Sequence, residues 1–423
     1  MKHIRHLVRQ IILAALVVLA VALSGNAQTK PIMDLRPTVI LISLDGFRYD
    51  YLAKYPSPHL NSLARTGVRA RWLIPSFPTK TFPNHYSIAT GLYPAHHGIV
   101  ENEFYDPQFN AVFNLHKREE VEKGRWWLGE PIWVTAEKQN QRAAAMFFPG
   151  TEAEIAGKRP SYWKVYDAKV PNADRVDMVL QWLDLPLGQR PTLFTLYFSD
   201  TDEAGHHFGP DSKQTRHAVA ELDTAIGRLI SGLRTRQIFT QVNLIIVSDH
   251  GMAAVDPKNM ILLDQMFDIS LAEHIFWTPE IVSIFPRPGQ ALKIYSSLRR
   301  RLPPQARVFR KSEIPERFHY RNNPRIAPLL VLPDEGWALM NREGLTEINK
   351  SASGPAKGRH GYDNQLRSMR AIFIGHGQAF RSHAVVAPFG NIQIYNIMTR
   401  ILGLKAAPND GDFAVSRQVL KRR

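Results

Sequence analysis

The sequence predicts a layered α/β fold carrying a small inserted α+β subdomain, and three observations lead there. Short apolar runs recur in "TVILISLD", "TLFTLYFSDTDEAGH" and "NLIIVSDHG", each the length of a buried strand and each running into residues of metal-ligating type. Helical patterns alternate with such runs, as in a sheet whose strands are joined by helices. From about residue 280 to 348 the pattern becomes strand, basic helix and strands with prolines between, which reads as an insertion.

The elements follow in order. Lys2, Arg5 and Arg9 precede an unbroken apolar run from Ile11 to Leu23, and the small residues of "SGNAQ" come next. This is the form of a signal peptide over residues 1–27 cleaved after Ala27, and the run is short for a bilayer, which takes about 20 apolar residues. Residues 28–36 read as a linker and the first strand begins near Thr38. "DYLAKYPSPHLNSLARTG" has helical spacing broken by prolines, with Gly67 at its stop. "PTKTFPNHYSIATG" opens another helix, with Pro83 suited to the first turn and Gly91 to the end. "RAAAMFFPG" and "RSMRAIFIGHG" are further strands. In the insertion, "IVSIFP", "RVFRKSEIP" and "APLLVLPDEGWALM" read as strands and "QALKIYSSLRRRL" as a basic helix; the main sheet resumes at "GRHGYDN". Residues 411–423 read as a basic C-terminal tail.

Composition is that of a globular protein, 44% apolar. The absence of cysteine excludes lipoprotein attachment and a disulfide framework, and with the leader it fits a periplasmic or secreted protein. The formal charge of +15, three of it from the leader, attracts anionic substrates. No recognition helix, zinc-finger spacing or aromatic RNA motif accompanies that charge, so no stable nucleic-acid partner is expected. No transmembrane span is expected in the mature chain.

Asp45, Asp202, His206, Asp249, His250 and His360, with the hydroxyl of Thr81, lie mostly just past apolar runs. Ligands in open α/β sheets gather beyond the carboxyl ends of strands, so the pattern predicts a two-metal site. Asp45, closing a buried run, needs a partner to be tolerated there. Asp202 and His206 face one way if their loop winds into a helical turn. Asp249 and His250 converge only on a turn, because neighbours on a strand face opposite ways. Three imidazoles with three carboxylates favour zinc over magnesium or calcium. Thr81 is a candidate nucleophile, since coordination to a metal makes its alkoxide accessible, and a helix N-terminus favours an incoming phosphate. A plain helix N-cap is the alternative for Thr81.

The segments "LISLDGFRYDYL", "PSFPTKTFPNHYSIATGLYPAHHGIVENEFYDP", "YFSDTDEAGHHFGP", "VSDHGM" and "GRHGYDN" resemble, in order and spacing, the nucleotide pyrophosphatase/phosphodiesterase family of the alkaline phosphatase superfamily. The resemblance implies a three-layer α/β/α sandwich and a catalytic domain over 37–410, standing alone as in a bacterial member. It implies two zinc ions, one on Asp202, His206 and His360, the other on Asp45, Thr81, Asp249 and His250, with Thr81 the nucleophile. Asn102 matches the asparagine that binds a phosphoryl oxygen. Phe82 and Tyr166 match the slot that sandwiches a nucleobase, and Leu115 and Tyr197 line it.

The implied reaction is hydrolysis of nucleotide phosphodiester or pyrophosphate bonds through a threonyl-phosphate, releasing nucleoside 5′-monophosphates. Three alternatives stand beside it: a choline-phospholipid phosphodiesterase, a phosphomonoesterase, and a non-catalytic zinc-dependent binding protein. "AMFFPGTEAEI" supplies no basic element for a phosphomonoester's extra charge.

Overall fold

The computed structural model describes residues 30–350 and 354–422, so the expected signal peptide lies outside the described residues. An eight-stranded sheet runs, in spatial order, through Ala384–Val386, Val68–Ala70, Phe373–His376, Asn243–Val247, Val39–Leu44, Leu193–Phe198, Ala143–Met146 and Tyr162–Lys164. Val39–Leu44 lies between Leu193–Phe198 and Asn243–Val247 and is parallel to both.

Side chains alternate across a strand, and here both faces are covered. Val39 and Leu41 enter one core, with helices Thr81–Thr90, Ile132–Lys138 and Gln393–Leu402. Ile40, Ile42 and Leu44 enter the other, with helices Pro58–Thr66, Asn172–Leu183 and Lys213–Thr235. This double burial is why the strands read as unbroken apolar runs rather than alternating ones. The result is the expected three-layer α/β/α arrangement.

The sheet is mixed, not wholly parallel. Phe373–His376 runs antiparallel to both Asn243–Val247 and Val68–Ala70. An apolar run carries no strand direction, which depends on the path of the connection.

A second, antiparallel sheet runs Ala272–Thr278, Ile281–Pro286, Leu329–Pro333, Ala306–Arg310. The basic helix Ala291–Arg301 covers it through buried Ile294 and Leu298. Its first strand, Ala272–Thr278, precedes the boundary expected at residue 280. "APLLVLPDEGWALM" divides: Leu329–Pro333 stays in this sheet, whereas Ala338–Met340 pairs with Met260–Leu262. Gly358–Arg359 then pairs with Ala253–Ala254 and returns the chain to the strand ends.

Two terminal expectations change. Within the expected linker, Ile32 is buried and its backbone N–H donates to the Arg236 carbonyl at 3.0 Å. Within the expected basic C-terminal tail, Ala414–Val419 is a helix, with Val419 and Leu420 buried in the core. No helix among the described residues is long and apolar enough to cross a membrane.

Candidate active site

Three adjacent parallel strands end at one edge, and their polar followers converge there. Asp45 follows Val39–Leu44, Asp249 and His250 follow Asn243–Val247, and helix Asp200–Phe208 follows Leu193–Phe198. That helix places Asp202 and His206 one turn apart, with Asp202 Oδ1 3.4 Å from His206 Nε2. The return strand delivers His360, whose Nε2 lies 3.0 Å from His206 Nε2 and 3.5 Å from Asp202 Oδ1. On the other side, His250 Nε2 lies 2.9 Å from Asp249 Oδ2, 3.5 Å from Asp45 Oδ1 and 3.4 Å from the Thr81 hydroxyl. All seven sequence-predicted ligands therefore meet in one place. Gly46, at φ +64°, permits the approach: a Cβ there would stand 2.9 Å from the Asp202 Cα.

The hydrogen bonds around this cluster show what it fits. His206, His250 and His360 each direct Nδ1 at a backbone carbonyl, of Gly358, Gly251 and Thr79, at 2.8–2.9 Å. A carbonyl only accepts, so each Nδ1 carries a proton, and each ring in its neutral form turns an Nε2 lone pair inward. Facing those lone pairs are Asp45 Oδ1, Asp202 Oδ1 and Asp249 Oδ2, buried and without a hydrogen-bond partner. Lone pairs aimed at lone pairs in a buried site are the arrangement that cations satisfy, and Asp202, His206 and His360 form one such group.

Electrostatics agree. Burial, then repulsion from Asp249 and Asp202, pushes Asp45 well above the usual carboxylate range. Burial acts the same way on Asp249, but His250, His85 and the Gly46 N–H together outweigh it and hold the carboxyl at about 2. Burial, followed by the neighbouring rings of His250 and His206, drives His360 well below the usual histidine value. A cluster whose like groups repel in this way is stabilised by positive charge at its centre.

Thr81 is the first residue of its helix; Lys80 holds the cap position and makes no side-chain capping bond. The Thr81 hydroxyl is therefore not spent as an N-cap. Asn102 Oδ1 accepts the Phe82 backbone N–H at 3.0 Å, which fixes the amide and leaves Nδ2 as the group able to donate to a ligand.

Thr81, Asp45, Asp202, His206 and His360 line one end of a cleft of about 520 Å³, and Phe82, Leu115, Tyr166 and Tyr197 all line it too. Tyr166 is 40% exposed, its ring edge against Phe147 and Tyr197, so it is a wall residue rather than core. Phe82 leans on Phe113 and Trp127. Tyr197 lines the cleft as expected and has a second contact: it is largely buried, and its hydroxyl donates to Asp45 Oδ2 at 2.6 Å.

Sequence reasoning missed His85. Its Nδ1 donates to the Thr81 carbonyl at 2.8 Å and its Nε2 accepts from the Ser43 hydroxyl at 2.8 Å. Although it lies close to Asp45 and Asp249, both ring nitrogens are engaged, so it supports the site rather than ligating. Its position four residues after Thr81, on the same helix face, was the available signal.

Residues 39–363 match the type I phosphodiesterase / nucleotide pyrophosphatase family. An uncharacterised pyrophosphatase/phosphodiesterase of Schizosaccharomyces pombe is 43% identical over 385 residues, 89% of this chain and 79% of that protein. Ectonucleotide pyrophosphatase/phosphodiesterase family member 3 of Bos taurus is 36% identical, over 91% of this chain and 44% of its own length. The chain thus spans about half the length of the vertebrate relatives it matches. The solved structure of murine ectonucleotide pyrophosphatase/phosphodiesterase 5 superposes with a TM-score of 0.85 at 33% identity, covering 91% of this chain and all of that one. An inactive threonine-to-alanine variant of the murine protein, in complex with AMP, superposes with a TM-score of 0.84. By fold, cluster and sequence the chain belongs to the nucleotide pyrophosphatase/phosphodiesterase family, enzymes of the alkaline phosphatase superfamily.

Proposed function

We propose that this protein hydrolyses phosphodiester or pyrophosphate bonds in nucleotides and releases nucleoside 5′-monophosphates, with Thr81 as nucleophile. The observation that carries the reading is the Thr81 hydroxyl, 3.4 Å from His250 Nε2, at the junction of the cluster and an aromatic-walled cleft. Phe82 and Tyr166 stack the base, and Asn102 Nδ2 donates to a phosphoryl oxygen. The Thr81 oxygen attacks phosphorus as the bond to the leaving oxygen breaks; water then cleaves the threonyl-phosphate and restores the hydroxyl. Asp202, His206 and His360 would hold one ion, and Asp45, Thr81, Asp249 and His250 the other. Zinc, which suits mixed nitrogen and oxygen donors, supplies Lewis acidity toward the nucleophile and the leaving oxygen.

Two further observations favour this substrate class. Among the described residues Arg118 is the one arginine or lysine lining the cleft, and Glu152 and Glu122 bind it, so these residues offer a phosphomonoester's second charge no unpaired arginine or lysine. The AMP complex of the murine neighbour, and the inactivity of its threonine-to-alanine variant, support the same reading. We also propose export through the N-terminal leader, to the periplasm or outside the cell, of a catalytic unit spanning 37–410. N-terminal sequencing of the exported protein should begin after Ala27; a start at Met1 refutes cleavage.

The test is a panel assay on purified protein with a dinucleotide, a nucleoside triphosphate, a choline phospholipid and a phosphomonoester. Nucleoside 5′-monophosphate should appear from the first two, with close to two zinc ions per chain by elemental analysis. Turnover confined to the phospholipid or the monoester refutes the substrate class, and a magnesium-only protein refutes zinc.

A further inference from the structure

Glu280 carries a charge where charges are ordinarily solvated, in the tight turn between Ala272–Thr278 and Ile281–Pro286, yet it is 3% exposed. Its two oxygens go to two different segments. Oε2 accepts from Lys80 Nζ, and Oε1 accepts from Arg359 at 2.9 Å. Lys80 immediately precedes Thr81, and Arg359 immediately precedes His360. The same two segments are joined directly: His360 Nδ1 donates to the Thr79 carbonyl at 2.8 Å, and the Gly361 N–H donates to the Thr79 hydroxyl at 2.9 Å.

The surroundings are built for this contact. Gly361 has φ +121°, and a Cβ there would stand 2.6 Å from Lys80 Cε and 3.0 Å from Glu280 Cβ, so a side chain would block the path between them. Burial opposes the Glu280 charge, but Lys80 and Arg359 outweigh it and hold the carboxyl at about 2. Lys80 is itself 6% exposed, so removing its anion strands a buried cation. Glu101, buried with Oε2 unpartnered and acting on Lys80, is then the carboxyl left to attract it. In a Glu280 variant that pull would displace the helix cap beside Thr81 relative to His360.

We propose that Glu280 is a positioning residue: the turn of the second sheet grips the residues preceding Thr81 and His360 and fixes these two segments at one separation. The inference rests on the roles given above to Thr81 and His360. Glu280 touches neither substrate nor ligand cluster, so its effect passes through those two neighbours.

The experiment compares wild type, Glu280→Gln and the double variant Lys80→Met/Glu280→Met. Three readouts are taken: kinetics on methyl nitrophenyl phosphate, zinc retention against a graded chelator, and thermal stability. Glu280→Gln should lose about ten- to a hundredfold in kcat, as expected of a misplacement near 1 Å, with KM within about threefold. It should release zinc at about tenfold lower chelator concentration. The double variant leaves no stranded lysine, though Arg359 still lacks its anion, and should regain part of the thermal stability without regaining kcat; it also carries the test if Glu280→Gln does not fold. A folded Glu280→Gln with wild-type kcat and zinc retention overturns the proposal, and so does a double variant that recovers kcat together with stability. If wild type turns over no phosphodiester, the proposed function fails, and zinc retention still decides on Glu280: equal retention in wild type and variant overturns it.

Discussion

Replacing Tyr197 with Phe separates two roles that one side chain could play. The ring lines the cleft, but the hydroxyl donates to Asp45 Oδ2 at 2.6 Å, and both residues are buried. Burial and then the Asp45 charge push the Tyr197 hydroxyl well above its ordinary range, so it stays a donor throughout the working pH. Phe keeps the ring and deletes the donor, leaving Asp45 Oδ2 buried without a partner beside an already unpartnered Oδ1. A hydrogen bond to a charged group contributes about 1.5–3 kcal/mol, which corresponds to a factor of roughly 10–100 when it orients a metal ligand. Tyr197→Phe should therefore lower metal affinity by about that factor in chelator competition. Its kcat/KM should fall equally on a nitrophenyl ester of a nucleoside 5′-monophosphate and on methyl nitrophenyl phosphate, which has no base. A loss confined to the nucleotide ester, with metal retention unchanged, would place the hydroxyl against the nucleotide and show that Asp45 does not need it. No loss on either substrate, with metal retention unchanged, refutes the role given to the hydroxyl.

Thr81→Ala should lose at least about a thousandfold in turnover while metal content largely persists, because six ligands remain and the nucleophile does not; a variant with most of its activity moves the nucleophile elsewhere. Tyr166→Ala should weaken kcat/KM for a nucleotide ester by about ten- to a hundredfold, from roughly 1–3 kcal/mol of base stacking, and spare methyl nitrophenyl phosphate. Equal losses on both substrates would make Tyr166 structural. Burial pushes Glu101 from 4.5 up to about 7, with Lys80 pulling the other way. Because the folded value is the higher, the stability it supports is complete below about pH 4.5 and is lost as pH rises through about 7, some 3 kcal/mol in all. Glu101→Gln should flatten that part of the stability profile of the metal-free protein, measured by thermal melts from pH 4.5 to 8; an unchanged slope refutes the assignment.

The sequence by itself determined where the strands end and which residues of metal-ligating type follow them. Burial on both faces forces an unbroken apolar run, as in Val39–Leu44, and parallel neighbours end at one edge, so Asp45, Asp202, Asp249 and His250 had to meet. The helix from Thr81 and its stop at Gly91 were likewise legible, because caps and prolines act locally. Asn102 and the slot came only with the resemblance, since no local spacing ties them to the strands, and His360 entered the ligand set by residue type without an apolar run to place it. Tertiary structure alone decided the antiparallel direction of Phe373–His376, the hydroxyl of Tyr197 on Asp45, the support from His85, and the reach of Glu280 to Lys80 and Arg359. A lysine before a threonine, or a glutamate in a hairpin turn, reads as solvated in one dimension. Only the packed chain shows that water has been excluded around both, so that each must find the other.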